Sequence, residues 1–284
     1  MDIPFHPTPF RKIVTEIAAQ RNSAPILHPA PFSVSLLSVI ERILVAEIEL
    51  PFGSTILDPF GGIGRIHLLS GRYRTISVEI EPEWVAEDTI MAIHCVGRSD
   101  LRRLYGYDPS LSAPSQSFCG DSGELCGLHS PLYDVVNEDG ERLSYLSVDA
   151  IVVSPCYGSR MADHHNAQDA SKRRTYRHTL GRMPTEGSAS VMQWGEEYRD
   201  LHAKVWLNSW AWLRKGGYFI LNSKDHVRKG EVQPVTAWHS SFLTKGLGMR
   251  LVSQALVETP HYRFGANREA RCPEQVLVFQ KGDA

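Results

Sequence analysis

"STILDPFGGIGRIHLLSG", residues 54–71, decides the fold. Its apolar opening runs into Asp58 and Pro59, and three glycines, Gly61, Gly62 and Gly64, follow at once. A short buried strand that empties into a glycine-rich turn is the first unit of an open α/β sheet, in which ligands bind beyond the carboxyl ends of the strands. Glycines there let the backbone bend sharply and let a ligand approach with no Cβ in the way. "GRIHLLS" (64–70) is expected to begin the helix that follows. His67 stands where a dinucleotide-binding G-x-G-x-x-G would carry its third glycine, so a pyrophosphate ligand is not supported.

Outward from this turn, strand and helix patterns alternate. "FSVSLLSVIERILVAEI" (32–48) spaces Leu36, Leu37, Ile40, Ile43 and Leu44 as on a helix, with Ser33 or Ser35 to cap it. "RTISVEI" (74–80) is a β-branched strand, and "EPEWVAEDTIMAIHCV" (81–96) a helix whose acidic, proline-containing first turn suits the helix dipole. "SQSFCGDSGEL" (115–125) steps from strand to loop, and "VDAIVVSP" (148–155) is the clearest buried strand. "WGEEYRDLHAKVWLNSWAWLRKGG" (194–217) is a long helix with a Gly-Gly stop, and its Trp206, Trp210 and Trp212 are assigned to the core. "YFILNSKD" (218–225) is a strand, 234–248 a helix, and 250–259 with 274–281 a closing pair of strands. This alternation predicts a mostly parallel sheet with helices on both faces.

The 284 residues, 42% hydrophobic and 22% charged, fit one α/β domain, with an N-terminal extension over about 1–31 and an inserted loop over about 159–190. The net charge of −2 excludes a general polycation, so any nucleic-acid contact needs a local basic face. Cys95, Cys119, Cys126, Cys156 and Cys272, odd in number and scattered, fit a reducing cytosol rather than a disulfide framework. No run reaches the roughly 18–20 apolar residues that span a bilayer, and no signal-peptide core opens the chain, so a cytoplasmic protein without a membrane partner is expected.

Glu79 follows Asp58 by twenty-one residues and ends the second strand, where a carboxylate accepts from both hydroxyls of a ribose. Asp121 ends the next strand, where an acid can accept from an adenine amino group. Glycines without a phosphate motif, joined by two acids, point to an adenosine ligand without phosphate, and S-adenosylmethionine fits.

"VDAIVVSPCYGSR" (148–160) ends its apolar strand abruptly in Ser154, Pro155, Cys156 and Tyr157. Here the chain resembles the S-adenosylmethionine-dependent amino methyltransferases of DNA. "LDPFGGIG" is similar to their cofactor motif, and "SPCY" to their catalytic Asp/Asn/Ser-Pro-Pro-aromatic motif, with Cys156 in place of the second proline. "HPAPFSVSLLSVI" (28–40) resembles the segment that closes the methionine side of the pocket, and "WLRKGGYFILNSKD" (212–225) a later family strand. "SPCYGSRMADHH", "KRRTYRHTLGR" and "KDHVRKGEVQPVT" resemble the small methylases of actinobacterial phages. The resemblance covers roughly 28–280. It implies a Rossmann-like seven-stranded methyltransferase fold with a C-terminal antiparallel strand. It implies cofactor contacts at His28, Pro29, Phe32, Asp58, Pro59, Phe60, Gly61, Gly62, Gly64, Glu79, Ile80 and Asp121, and catalysis at Ser154, Pro155, Cys156 and Tyr157.

That chemistry needs these groups. An exocyclic amine is a poor nucleophile because its lone pair is delocalised into the ring. Acceptors aimed at its two N–H bonds, the Ser154 oxygen and the Pro155 carbonyl, free the lone pair, and positioning for in-line attack then supplies most of the rate. The base must leave the duplex stack, and Tyr157 is its platform. In the resembled family serine at the first position leans toward cytosine N4 over adenine N6. The Pro-Cys pair also leaves open a cysteine nucleophile of the cytosine-C5 kind.

Between 159 and 184 six cations, Arg160, Lys172, Arg173, Arg174, Arg177 and Arg182, face two acids, Asp163 and Asp169, a local net of +4. Such a segment beside the catalytic strand grips a nucleic-acid backbone and makes binding salt-dependent. The alternative is a solvated loop. His164, His165 and His178 match no zinc spacing, so no metal is expected. The 224–230 stretch reads as a polar loop that can extend the basic surface, and Asn267 in "HYRFGANRE" as a group near the target base. RNA or a protein amide as acceptor, or a binding module without catalysis, stand as alternatives to DNA methylation. Oligomeric state is open.

Overall fold

The computed structural model describes residues 19, 28–29, 31–96, 115–126, 130, 132, 147–158, 175–257 and 272–282. Arg160, Lys172, Arg173, Arg174, His164, His165, Asn267, Cys95's side chain and nearly all of the N-terminal extension lie outside them.

Among the described residues there are nine strands: β1 (Thr55–Asp58), β2 (Arg74–Glu79), β3 (Gln116–Cys119), β4 (Val148–Val153), β5 (Leu213–Lys224), β6 (His226–Arg228), β7 (Glu231–Gln233), β8 (Arg250–Val257) and β9 (Glu274–Gln280). The helices are α1 (Val34–Arg42), α2 (Pro82–Val96), α3 (Tyr176–Leu180), α4 (Glu196–Trp212) and α5 (Val235–Ser241). Seven strands make one sheet in the order β3-β2-β1-β4-β5-β9-β8. The pairs from β3 to β5 are parallel, and β9 lies antiparallel between β5 and β8. This is a seven-stranded Rossmann-like sheet, mostly parallel with an antiparallel C-terminal strand. Strand order reverses beside β1, so β1 and β4 diverge from a switch point where a crevice must open at their carboxyl ends.

Alternation along each strand builds both faces. Ile56, Ala150, Val152, Ile220, Val276 and Val278 pack with Leu36, Leu37 and Ile40 of α1 on one side. Leu57, Ile151, Val153, Phe219, Leu221, Leu277 and Phe279 pack with Val205, Trp206 and Trp212 of α4 on the other. Ser33 caps α1, its Oγ accepting from Leu36 N at 3.0 Å.

Three expectations are corrected. The helix after the glycine turn is only a five-residue 3-10 turn (Arg65–Leu69), because the chain must reach β2 at Arg74. The Gly-Gly pair does not stop the long helix: α4 ends at Trp212, and Gly216 (φ +69°) and Gly217 lie inside β5, where a bulge in the pairing with β4 takes up the extra residues. A Cβ on Gly217 would sit 2.9 Å from the Asp149 carbonyl oxygen, which is why glycine stands there. The polar stretch at 226–233 is a hairpin, β6-β7, turning at Lys229 (φ +52°) and Gly230 (φ +83°). Among the described residues no helix is long and apolar enough to cross a membrane.

Candidate active site

The carboxyl ends of β1, β2 and β4 and the turn after β3 open onto one cavity of ≈ 310 Å³. The glycine turn contributes Asp58, Pro59, Phe60, Gly61 and Gly62 to its lining. Glu79 and Ile80 enter from β2, Asp121 from beyond β3, and Ser154, Pro155, Cys156 and Tyr157 from β4. His28 and Phe32 line it as well, whereas Pro29 and Gly64 do not. The two motifs, almost a hundred residues apart in the chain, share one space.

Backbone geometry shapes the turn. Asp58 Oδ1 accepts from Phe60 N at 3.0 Å. Glu79 accepts from Gly62 N through Oε2 at 2.8 Å and from Glu81 N through Oε1 at 2.9 Å. Each Glu79 oxygen keeps a further lone pair for a ligand hydroxyl. Burial outweighs these amide donors, pushing Glu79 up to about 7 and Asp58 well above the usual carboxylate range. The glycines divide by role. A Cβ on Gly64 (φ +70°) would lie 2.1 Å from Asp88 Oδ1, and one on Gly61 2.9 Å from Ser77 Cβ, so both serve close packing. Gly62 (φ +56°) keeps the cavity side open opposite His28.

His67, which the glycine spacing marks only as a departure from a dinucleotide motif, anchors the turn from below. Its Nε2 lies 2.8 Å from Asp88 Oδ1, and both side chains are fully buried. Its Nδ1 lies 2.7 Å from Thr75 Oγ1. Ser77 and Ser117 also donate to Asp88, at 2.6 and 2.8 Å. This knot ties the 3-10 turn to β2, β3 and α2 directly beneath the glycines.

The Ser154–Tyr157 loop is held from behind. Tyr198 of α4 donates to the Cys156 carbonyl at 2.7 Å, and its hydroxyl lies 3.0 Å from His239 Nε2. Trp206 Nε1 donates to His239 Nδ1 at 3.0 Å, which places the imidazole hydrogen on Nε2, toward Tyr198. Burial holds His239 well below its ordinary value, so the ring is neutral. The Cys156 Sγ lies 3.5 Å from the Tyr176 hydroxyl, and burial pushes its thiol up to about 11. A thiol so protonated at neutral pH is a poor nucleophile, which weighs against the cytosine-C5 reading. Asn222 and Glu274 complete the loop's hydrogen bonds and carried no local sequence signal beyond a polar Asn-Ser pair in an apolar strand.

The far wall is aromatic. His28, Trp84 and Tyr176 form an edge-to-face trio with centroids 4.5–5.2 Å apart. The segment after α3 fastens over the start of α2. Arg182 reaches Glu81 at 2.7 Å and Glu83 at 2.5 Å, and Thr185 donates to Glu81 through N and Oγ1. Arg182, expected to face nucleic acid, thus has its guanidinium committed to two glutamates. Arg177 is exposed on α3. Among the described residues no cluster of three or more His, Cys, Asp or Glu could hold a metal.

No family model and no curated protein matches the chain. Solved structures resemble it at low identity. TrmN from Thermus thermophilus is 16% identical over 95% of this chain and 52% of that one, with a TM-score of 0.46. A SAM-dependent methyltransferase from Methanosarcina mazei is 12% identical over 82% and 94%, with a TM-score of 0.46. The tRNA m1G37 methyltransferase of M. jannaschii is 10% identical over 90% and 52%, with a TM-score of 0.43. The chain spans about half the length of the first and third of these, 52% in each case.

Proposed function

We propose that the chain transfers a methyl group from S-adenosylmethionine to the exocyclic amino group of a flipped DNA base, cytosine N4 in preference to adenine N6. One observation carries this reading: the acid-glycine turn at 58–62 and the Ser154–Tyr157 loop line the same cavity. The donor set fits the cofactor. Three acids, Asp58, Glu79 and Asp121, suit the hydroxyls and amino group of an adenosine. Arg65 also lines the cavity, and its Nε has no partner among the described residues, which suits an amino-acid carboxylate. When bound, the cofactor supplies a methyl group on a sulfonium that departs readily.

The chain's own residues do the rest. Ser154 Oγ and the Pro155 carbonyl accept from the amine, restoring its lone pair, and Tyr157 gives the extruded ring a surface to stack on. The base is held for in-line attack, which needs no metal and no strong base near the nitrogen.

The test is to incubate the purified chain and methyl-tritiated cofactor with unmethylated DNA, RNA and protein, and to identify the labelled atom by mass spectrometry. Label on cytosine N4 is expected. Ser154→Ala is expected to lower turnover about 10²-fold or more with cofactor affinity within about twofold. Label on RNA or a protein amide alone would replace the acceptor, and a matching loss of cofactor binding would remove Ser154 from the acceptor pocket.

A further inference from the structure

Ser154 and Tyr157 line the cavity, and Asn222 on β5 and Glu274 at the start of β9 bond to them. The Asn222 amide nitrogen lies 2.9 Å from Ser154 Oγ, 2.7 Å from the Tyr157 oxygen and 2.8 Å from Glu274 Oε1. A carboxylate at that distance orients the amide, nitrogen toward Glu274 and oxygen away, and Asn222 Oδ1 meets no partner among the described residues. Two amide hydrogens serve three oxygens. Glu274, an acceptor only, takes one, and the Tyr157 oxygen and Ser154 Oγ share the other. Tyr157 donates its hydroxyl hydrogen to Glu274 Oε1 at 2.7 Å. Its oxygen then acts only as an acceptor toward Ser154, 3.2 Å away. The direction follows: Ser154 O–H toward Tyr157, Tyr157 O–H toward Glu274. One lone pair of Ser154 Oγ remains for a donor in the cavity.

We infer that Ser154, Tyr157 and Glu274 form a proton relay that drains the acceptor amine, with Glu274 as the final proton acceptor. This rests on the proposed amine methylation. As the N–C bond forms, the C–S bond breaks and sulfur keeps its electron pair, leaving the nitrogen cationic. The nitrogen passes one proton to Ser154 Oγ, the serine passes its own to the Tyr157 oxygen, and the phenol passes its own to the Glu274 carboxylate. The methylated amine leaves neutral, and Glu274 returns its proton to solvent before the next turnover. Burial holds the Tyr157 phenol well above its ordinary value, so it hands a proton on without resting as a phenolate. Glu274 acts through the two hydroxyls and is a positioning residue in this sense. The groups facing it are the Tyr157 hydroxyl, the Asn222 amide, Lys224 directly across on β5 and Val257 across on β8.

The experiment uses the full chain, methyl-tritiated S-adenosylmethionine and unmethylated genomic DNA. Glu274→Gln keeps an oxygen for Tyr157 but cannot take a proton. Tyr157→Phe keeps the ring but cuts the relay. Both are expected to lose about 10²-fold in kcat with cofactor affinity, measured by calorimetry, within about twofold. Glu274→Asp, which restores a carboxylate, is expected to regain part of the rate, whereas Glu274→Gln is not. A variant within threefold of wild type, no rescue by Glu274→Asp, or a parallel loss of cofactor affinity overturns the relay alone. A wild-type chain that binds cofactor but labels no DNA, RNA or protein overturns the amine-methylation reading, and the relay falls with it.

Discussion

At the scale of single residues, the site balances ionisation against burial. Glu79 already takes two backbone N–H bonds, so only its ionised form has lone pairs enough for two ribose hydroxyls. Folding raises this carboxyl from its ordinary 4.5 to about 7, chiefly by desolvation. Its contribution to stability is therefore fully present below about pH 4.5 and is lost as pH rises through about 7. Cofactor affinity runs the other way: below about pH 7 it should fall nearly tenfold per pH unit, with uptake of cofactor releasing a proton. Calorimetry at pH 6 in two buffers of different ionisation enthalpy reads that proton, and an affinity flat from pH 5.5 to 8 would remove Glu79 from the ribose. Cys156 carries the opposite expectation. Its thiol is protonated and its contribution to the loop is a backbone carbonyl, so Cys156→Ala should keep kcat within about threefold, since no transition-state contact is lost. Loss of all turnover would restore the cysteine as nucleophile.

At the scale of elements, a short turn does the work of a helix. The 3-10 segment Arg65–Leu69 has too few residues to anchor itself, and His67 pins it to Asp88 of α2 and to β2 and β3. Removing one partner of a buried hydrogen bond and leaving the other unsatisfied costs about 1–3 kcal/mol. His67→Ala should cost roughly this, less what Ser77 and Ser117 still give Asp88, and should loosen the glycine turn enough to weaken cofactor binding. Urea unfolding with and without cofactor measures both. A change under about 1 kcal/mol would show that the elements are held by apolar packing alone. The elements themselves were largely legible: β1, β2, β4 and β9 announced themselves as apolar runs, and Ser33 as a cap, because those signals are local. The 3-10 turn was not, since a helical pattern in "RIHLL" cannot reveal that β2 begins five residues later, at Arg74.

At the scale of the whole molecule, what the sequence hides is pairing across distance. The cavity was legible because glycine turn, strand-end acids and the Ser-Pro-Cys-Tyr corner each mark a strand's carboxyl end, and the topology brings those ends together. Tyr157 finds Asn222 and Glu274 at separations of 65 and 117 residues, which no local pattern encodes. The same blindness affects charge. Six cations between 159 and 184 look alike in the sequence, yet Arg182 is committed to Glu81 and Glu83 about a hundred residues earlier and is not free for phosphate. Under the proposed function five remain, Arg160, Lys172, Arg173, Arg174 and Arg177, on a chain of net charge −2. Binding to duplex DNA should then rest on this one segment. The slope of log K against log salt should be about −4, as for four to five neutralised phosphates. Replacing Lys172, Arg173 and Arg174 together by alanine should flatten it by about 3, with cofactor affinity within about twofold. Fluorescence anisotropy across 50–300 mM salt, on the order used for such slopes, reads the effect. An unchanged slope in the triple variant would move the DNA-binding surface elsewhere on the molecule, and a slope near zero in the wild type would argue for an acceptor other than a nucleic acid.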